Sequence, residues 1–296
     1  MREEIRKIQT SMEQAQYVTD APVATAVHLA TALKKPLLVE GHAGVGKTEI
    51  AKVMARVLDT DLIRLQCYEG LDAAAALYEW NYQKQLLHIR LSERMERDVK
   101  SEEREIFSEE FLLRRPLLDA ISRKEKAPVL LVDEVDRADE EFEAFMLEIF
   151  AEWQVTVPEI GTIKAVHPPH VILTSNRTRE LSDALRRRCL YIWIDYPTFD
   201  KEVRIVQRKV PGIDERLARD VARFMESLRR MRLSKVPGVA ETLDWAQALA
   251  VLHADHLDEE VVNETLGCIL KDADDMKKFR AEVARSGLAP FTSVPS

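Results

Sequence analysis

Eight residues, Gly41-His42-Ala43-Gly44-Val45-Gly46-Lys47-Thr48, carry the chemistry most directly legible in this chain. Glycines spaced in this way let successive backbone N–H groups curl around a phosphate, and a helix beginning at the end of the loop directs its positive dipole end at the same anion. Lys47 then reaches the β- and γ-phosphates of a nucleotide, and the Thr48 hydroxyl helps to hold Mg²⁺. Two glycines, a lysine and a Ser/Thr at fixed spacing arise by chance in roughly one chain in a hundred of this length, and the flanks lower that figure. The apolar run Leu37–Val39 precedes the loop, and Ile50, Val53, Met54, Val57 and Leu58 follow at the spacing of one helix face. The loop therefore reads as a strand-to-helix turn.

Eighty-six residues after Lys47, the apolar run Val129–Val132 leads into Asp133 and Glu134. Asp133 is suited to hold Mg²⁺ through water, and Glu134 to polarise the water that attacks a γ-phosphate. Alone, such a pair is just as readily a strand-ending surface feature; the loop upstream favours the chemistry. A third run, His170–Ser175, ends at Asn176, whose neutral amide could orient the attacking water, although asparagine after a strand is also an ordinary turn former. Asp183-Ala184-Leu185-Arg186-Arg187-Arg188 follows. Guanidinium forks match phosphoryl oxygens, and an arginine supplied by a neighbouring subunit is worth about 10³–10⁵ in rate where it acts. Solvation or helix-terminal carbonyls explain a triple arginine equally well, and the residues alone leave both open. Tyr17 and Val18 are candidates for an adenine pocket, with core packing the simpler role.

Five short runs alternate with helical patterns: Leu37–Glu40, Leu62–Gln66, Val129–Val132, Val171–Thr174 and Leu190–Ile194. That alternation predicts an α/β core, a five-stranded, mostly parallel sheet with flanking helices. After Pro197 the strand patterns cease and helical ones run to about Arg285, which predicts a smaller all-helical domain. One helix has Asp214 as N-cap and a stripe of Leu217, Val221, Phe224, Leu228 and Met231; another carries Val261, Val262, Leu266, Ile269 and Leu270. The expected division is 1–198, 199–285, and a frayed tail over 286–296 with too much Pro and Ser to pack. The charged stretch from Arg90 to Glu110 reads as a solvated helix or insertion rather than a binding element.

Hydrophobic residues make up 46% of the 296, ordinary for a globular protein. The longest apolar runs are too short to span a bilayer, and the N-terminal residues form a charged helical pattern rather than a leader. Cys67, Cys189 and Cys268 lie far apart without metal-ligand spacing, as reduced core residues in a cytoplasmic protein would. A net charge of −8 disfavours broad attraction to nucleic acid and favours protein or small-molecule partners.

Together the loop, acid pair, asparagine, arginines and helical C-terminal region resemble the AAA+ ATPases, an AAA+ P-loop NTPase core plus a lid domain, over about residues 20–270. The strings at Leu65–Leu87, Leu112–Ile121, Ala151–Asn176 and Asp183–Pro197 are similar to the MoxR family, and within it to the ATPases encoded with aerobic carbon monoxide dehydrogenase. The resemblance implies ATP and Mg²⁺ as cofactors, Lys47 and Thr48 in the phosphate loop, and Asp133 and Glu134 in the second motif. It makes Asn176 the first sensor and Arg188, with Arg187 beside it, the finger acting on a neighbouring subunit. It further implies a homo-oligomeric, hexameric ring in the cytoplasm, peripheral to the membrane through partners. Those partners are a von Willebrand factor A domain protein and a metalloenzyme client whose cofactor is inserted or matured. A β-hairpin is expected from Gln154–Pro158 and Thr162–Val166. The family commonly carries a lid arginine that touches the γ-phosphate, and Thr242 stands where it would fall. That departure leaves a slow nucleotide-gated switch as an alternative to a remodelling ATPase, and a DNA- or RNA-acting motor as another, against which the acidic balance argues.

Overall fold

The computed structural model describes residues 2–92 and 105–292. Nine strands occur among them: β1 (Leu37–Gly41), β2 (Leu62–Gln66), β3 (Tyr78–Trp80), β4 (Leu112–Arg114), β5 (Val129–Asp133), β6 (Gln154–Val157), β7 (Gly161–Lys164), β8 (His170–Ser175) and β9 (Leu190–Ile194). The five expected strands make one sheet in the order β2-β5-β8-β1-β9, and β2/β5, β5/β8 and β8/β1 are parallel. β1 and β5 are buried along their whole length, as continuous apolar runs must be when helices cover both faces. The outer strands β2 and β9 alternate instead; in β2, Ile63 and Leu65 face inward while Arg64 is exposed. The register aligns Gln66 with Asp133, Val132 with Leu173, and Glu40 with Ser175, so Asp133, Glu134 and Asn176 lie at or just past the C-terminal ends of their strands, whereas the helix Asp183–Arg188 precedes β9.

The described residues divide into two compact units. One comprises the described residues within Met1–Ile8, Ala21–Glu40 and Ile50–Ile192, the other those within Gln9–Asp20, Gly41–Glu49 and Trp193–Ser296. This grouping does not follow the boundary at 198 expected along the chain: the phosphate loop goes with the helical region, because residues of that region approach the loop backbone closely. In the first unit, Leu38, Leu130, Val132, Leu173, Phe142 and Met146 share one core. In the second, helices Phe199–Lys209, Glu215–Arg229, Val239–Val251, Glu259–Ile269 and Ala273–Ser286 pack around Phe224, Trp245 and Phe279. Asp214 caps its helix by accepting from the N–H groups of Arg216 and Leu217, as its position predicts.

β6 and β7 form the expected hairpin, with Val157 opposite Gly161; β6 ends one residue sooner than expected, and β7 begins one residue and ends two residues sooner. Two features depart from the sequence reading. β3 and β4 pair antiparallel in a separate two-stranded sheet, too short to leave a periodic signal. The expected frayed tail is corrected over Ala289–Thr292, a short helix whose Phe291 is buried at 5.5 Å from the Phe224 ring and 5.2 Å from Phe279. One aromatic ring completing a cluster outweighs the polar composition around it. Residues 293–296, and 93–104 of the charged stretch, lie outside the described residues; at the edges of that stretch Lys84 pairs with Glu110 and His88 approaches Glu105.

The buried Asp275 ties its helix to the loop before Val239: its carboxylate accepts from the N–H groups of Ser234 and Lys235, at 2.9 Å each, and pairs with Lys278 at 3.0 Å. These donors, the Ser234 N–H foremost, hold its pKa well below the usual carboxylate range. A depressed folded-state pKa contributes stability that is present above the unfolded value near 3.9 and is lost as pH falls through the folded one. Denaturant unfolding followed from pH 7 to pH 2 should show an acid-side loss of stability that is smaller in Asp275→Asn, with that variant already less stable at pH 7.

Candidate functional site

The acid pair is organised by one hydroxyl. Asp133 ends β5 and is 3% exposed; the Thr174 Oγ on β8 donates to its Oδ1 at 2.5 Å and accepts the Glu134 N–H at 2.9 Å. Glu134 turns out of the strand with φ 55° and ψ 50°, a left-handed conformation that a non-glycine residue holds only where its surroundings enforce it. Its carboxylate accepts from Gln66 at 3.1 Å and from Arg137 at 3.3 Å. Arg64 pairs with the Asp133 Oδ2 at 2.5 Å. Behind the acids, burial and then the Asp133 charge push the Cys67 thiol up to about 12, which disfavours the thiolate at neutral pH.

Asn176 follows β8 and is half-buried. Asp136, 2% exposed, collects its N–H at 3.2 Å, together with the N–H and the hydroxyl of Thr178 at 2.8 Å each. The loop carrying Asn176 is thereby fastened to the turn carrying Glu134. Nearby, the fully buried Glu143 pairs with Arg179 and accepts from the Ser182 N–H at 2.9 Å. Ser182 caps the helix Asp183–Arg188. Its three arginines are exposed: Arg188 donates to the Leu147 carbonyl at 3.3 Å, whereas the Arg187 guanidinium makes no hydrogen bond or ion pair with another described residue.

The loop Gly41–Thr48 belongs to the second unit. Gly44 has φ +74° and Gly46 φ +94°, conformations that a side chain would strain. A Cβ on Gly238 would stand 2.7 Å from the Ala43 carbonyl and 2.9 Å from Gly44, and the Ala240 N–H bonds the Gly44 carbonyl at 3.1 Å. The start of the helix Val239–Val251 thus rests on the loop backbone. Lys47 begins the helix after the loop, its ammonium donating to the carbonyls of Gly41 at 2.9 Å and His42 at 2.6 Å; Val45 is buried and Thr48 half-buried. The His42 ring stacks on Tyr196 at 4.6 Å, and the Arg229 guanidinium lies 4.9 Å from the centroid of the same Tyr196 ring. Arg229 in turn makes a two-pronged pair with the fully buried Glu202 at 2.6 and 2.7 Å.

Thr242, where a phosphate-touching arginine was sought, is fully buried, donates to Glu202 at 2.6 Å and accepts from Arg229 at 3.0 Å. Val18 is buried and Tyr17 half-buried, the Tyr17 phenol pushed well up by burial and by Asp20 and Glu49. Thr174, Asp136, Arg64, Gln66, Gly238 and the Glu202–Arg229 pair were missed in the sequence. Thr174 and Asp136 are polar residues beside apolar strands, a signal available but shared with many turns; the others show nothing until the chain is folded.

Sheet order, phosphate loop and strand-ending acids define a P-loop nucleoside triphosphatase fold of the AAA+ type with a helical C-terminal region. The profile of the AAA domain, dynein-related subfamily, matches residues 36–189, just over half of the chain, and the protein belongs to that family. An uncharacterised protein of Staphylococcus aureus is 25% identical over 205 residues, 67% of this chain and 70% of that one, and one of Staphylococcus epidermidis is similar to the same extent. Among solved structures, a proline-to-glycine mutant of Thermotoga maritima RuvB covers 99% of this chain and 79% of its own, with a TM-score of 0.50 at 16% identity. RuvB described as the Holliday junction branch migration motor gives 0.49 at 16% identity, over 97% of this chain and 78% of its own. These likenesses concern the fold. No helix among the described residues is long and apolar enough to cross a membrane.

Removing the bridging hydroxyl while keeping side-chain shape should expose its role. Thr174→Val leaves the Asp133 Oδ1 and the Glu134 N–H each short of a buried partner, and is expected to lower unfolding free energy by about 1–3 kcal/mol in urea titrations. Gly238→Ala should destabilise as well, through the clash with Ala43 and Gly44.

Proposed function

We propose that this protein is a Mg²⁺-dependent ATPase that assembles into a ring and uses hydrolysis to remodel a client protein. The observation that carries the reading is the Thr174-locked acid pair at the same sheet edge from which the phosphate loop departs. The backbone N–H groups of Gly41 to Gly46 and the Lys47 ammonium cradle the phosphates. Asp133 and the Thr48 hydroxyl are hard oxygen donors of the kind Mg²⁺ takes, and they would hold the ion, which neutralises charge on the β- and γ-phosphate oxygens. Glu134, whose carboxylate accepts from Gln66 and Arg137, accepts a proton from the attacking water, and Asn176 orients that water by its amide. Arg188 or Arg187 reaches the site of a neighbouring copy and stabilises charge developing in the transition state. The Arg187 guanidinium makes no hydrogen bond or ion pair with another residue among the described ones, which suits it to that task.

Hydrolysis needs assembly on this reading, and the ring is hexameric, as the resemblance to the MoxR family implies. The client is a metalloenzyme requiring cofactor insertion, carbon monoxide dehydrogenase the first candidate, with a von Willebrand factor A domain protein as co-factor of the ring. The resemblance of Leu65–Leu87 and Ala151–Asn176 supports that branch. The division 1–198 for the nucleotide-binding core and 199–285 for the lid remains our assignment of roles along the chain. Against a slow switch stands the packing of the helical region on the phosphate loop, through Gly238 and Ala240, which gives the lid a route to the nucleotide state without an arginine at Thr242.

Purified, assembled Glu134→Gln should bind ATP as the wild type does and hydrolyse it at least about a hundredfold more slowly, measured by phosphate release beside nucleotide binding. Near-normal turnover would remove Glu134 from its role. For the arginines, Arg187→Ala and Arg188→Ala subunits should each be tested in mixtures with Glu134→Gln subunits: the true finger is the one whose loss leaves ATP binding intact but whose activity returns in the mixed ring.

A further inference from the structure

A cationic side chain already sits on the acid that ends β5. Arg64 and Gln66 are alternate residues of the edge strand β2, so their side chains share a face, and both reach across to the acids of β5. The Arg64 Nη2 lies 2.5 Å from the Asp133 Oδ2 and 2.5 Å from the Gln66 Oε1, while the Gln66 Nε2 donates to Glu134 at 3.1 Å. The Asp133 side chain is 5% exposed and that of Arg64 54% exposed. A buried carboxylate therefore has one oxygen taken by the Thr174 hydroxyl and the other by a monovalent cation reaching in from solvent. That second oxygen is the one on which a divalent ion would have to displace Arg64.

We propose that Arg64 is a resident counter-ion that competes with Mg²⁺ for Asp133 and so sets the magnesium concentration at which the site loads. The proposal rests on the ATPase reading, in which Asp133 is a metal ligand. A guanidinium is charged at every physiological pH, so Arg64 contributes positive charge to the buried carboxylate whenever no metal is present. Because the arginine end of the pair is half exposed, its guanidinium regains water as it leaves the carboxylate, which lowers the cost of opening the pair. A divalent ion brought in with a triphosphate offers twice the charge at the same oxygen, and Arg64 swings back toward solvent and Gln66.

The test uses the full chain with Mn²⁺ as the probe and a non-hydrolysable ATP analogue, following free Mn²⁺ by electron paramagnetic resonance. Arg64→Ala should bind nucleotide-dependent Mn²⁺ about fivefold more tightly than wild type, the factor expected when an exposed pair is removed from competition. Arg64→Lys, which keeps the charge, should return toward the wild-type affinity, and Arg64→Ala should have no effect on Mn²⁺ binding when combined with Asp133→Asn. Unchanged or weaker Mn²⁺ binding in Arg64→Ala, with wild type binding Mn²⁺ and nucleotide normally, overturns the competition while leaving the ATPase reading standing. Absence of any nucleotide-dependent Mn²⁺ binding by wild type overturns both.

Discussion

A single hydroxyl between two strands governs the arrangement at the sheet edge. Thr174 can donate to Asp133 and accept from Glu134 only because β8 lies parallel to β5 with Val132 beside Leu173. Moving β8 by one residue would present Leu173 or Ser175 at that level and turn alternate side chains to the opposite face. The left-handed turn at Glu134 depends on the same bond, since the N–H that the turn swings outward is the one Thr174 receives. Asp136 extends the constraint by holding the loop of Asn176 to the same turn. Acid pair and asparagine therefore move as one piece.

The second unit has a comparable linkage built from different chemistry. The phosphate loop is touched by the helical region at Gly238 and Ala240, where the absence of a side chain allows backbone to meet backbone. From there a chain of contacts runs through Thr242 and Glu202 to Arg229, on to Tyr196, and back to His42 in the loop. The buried Glu202–Arg229 pair is compensated by the Thr242 hydroxyl and by the carbonyls of Pro237 and Gly238, which is what makes two charges tolerable away from water. The helix Val239–Val251 thus meets the loop through backbone contact rather than through a long cationic side chain.

Charge is handled locally at each step. Although the chain carries a net charge of −8, Asp133, Glu134, Glu143 and Glu202 each have a guanidinium beside them. The acids differ in how firmly those partners are held: Arg229 is almost buried, with 8% of its side chain exposed, whereas 54% of Arg64 is exposed. A buried partner fixes structure, and an exposed one can leave. The three arginines of Asp183–Arg188 stand apart from this pattern, displayed at the surface by a short capped helix.

The amino-acid order by itself determined the five sheet strands, the loop at Gly41–Thr48, the hairpin and the helical character of the C-terminal region, because each is written as a local period or a fixed spacing. It also named Asp133, Glu134 and Asn176, since a run of apolar residues that ends in a polar one locates a strand's end. It did not reveal Thr174 or Asp136 as organisers, nor Arg64 and Gln66 as partners of the acids, because those contacts join residues 40 to 69 positions apart and depend on strand order, which no local pattern encodes. Likewise Phe291 looked like part of a polar tail until Phe224 and Phe279 were brought beside it. Spacing along the chain reports what a segment can form; which segments meet, and at what register, was decided by the packing of the whole sheet and helical core.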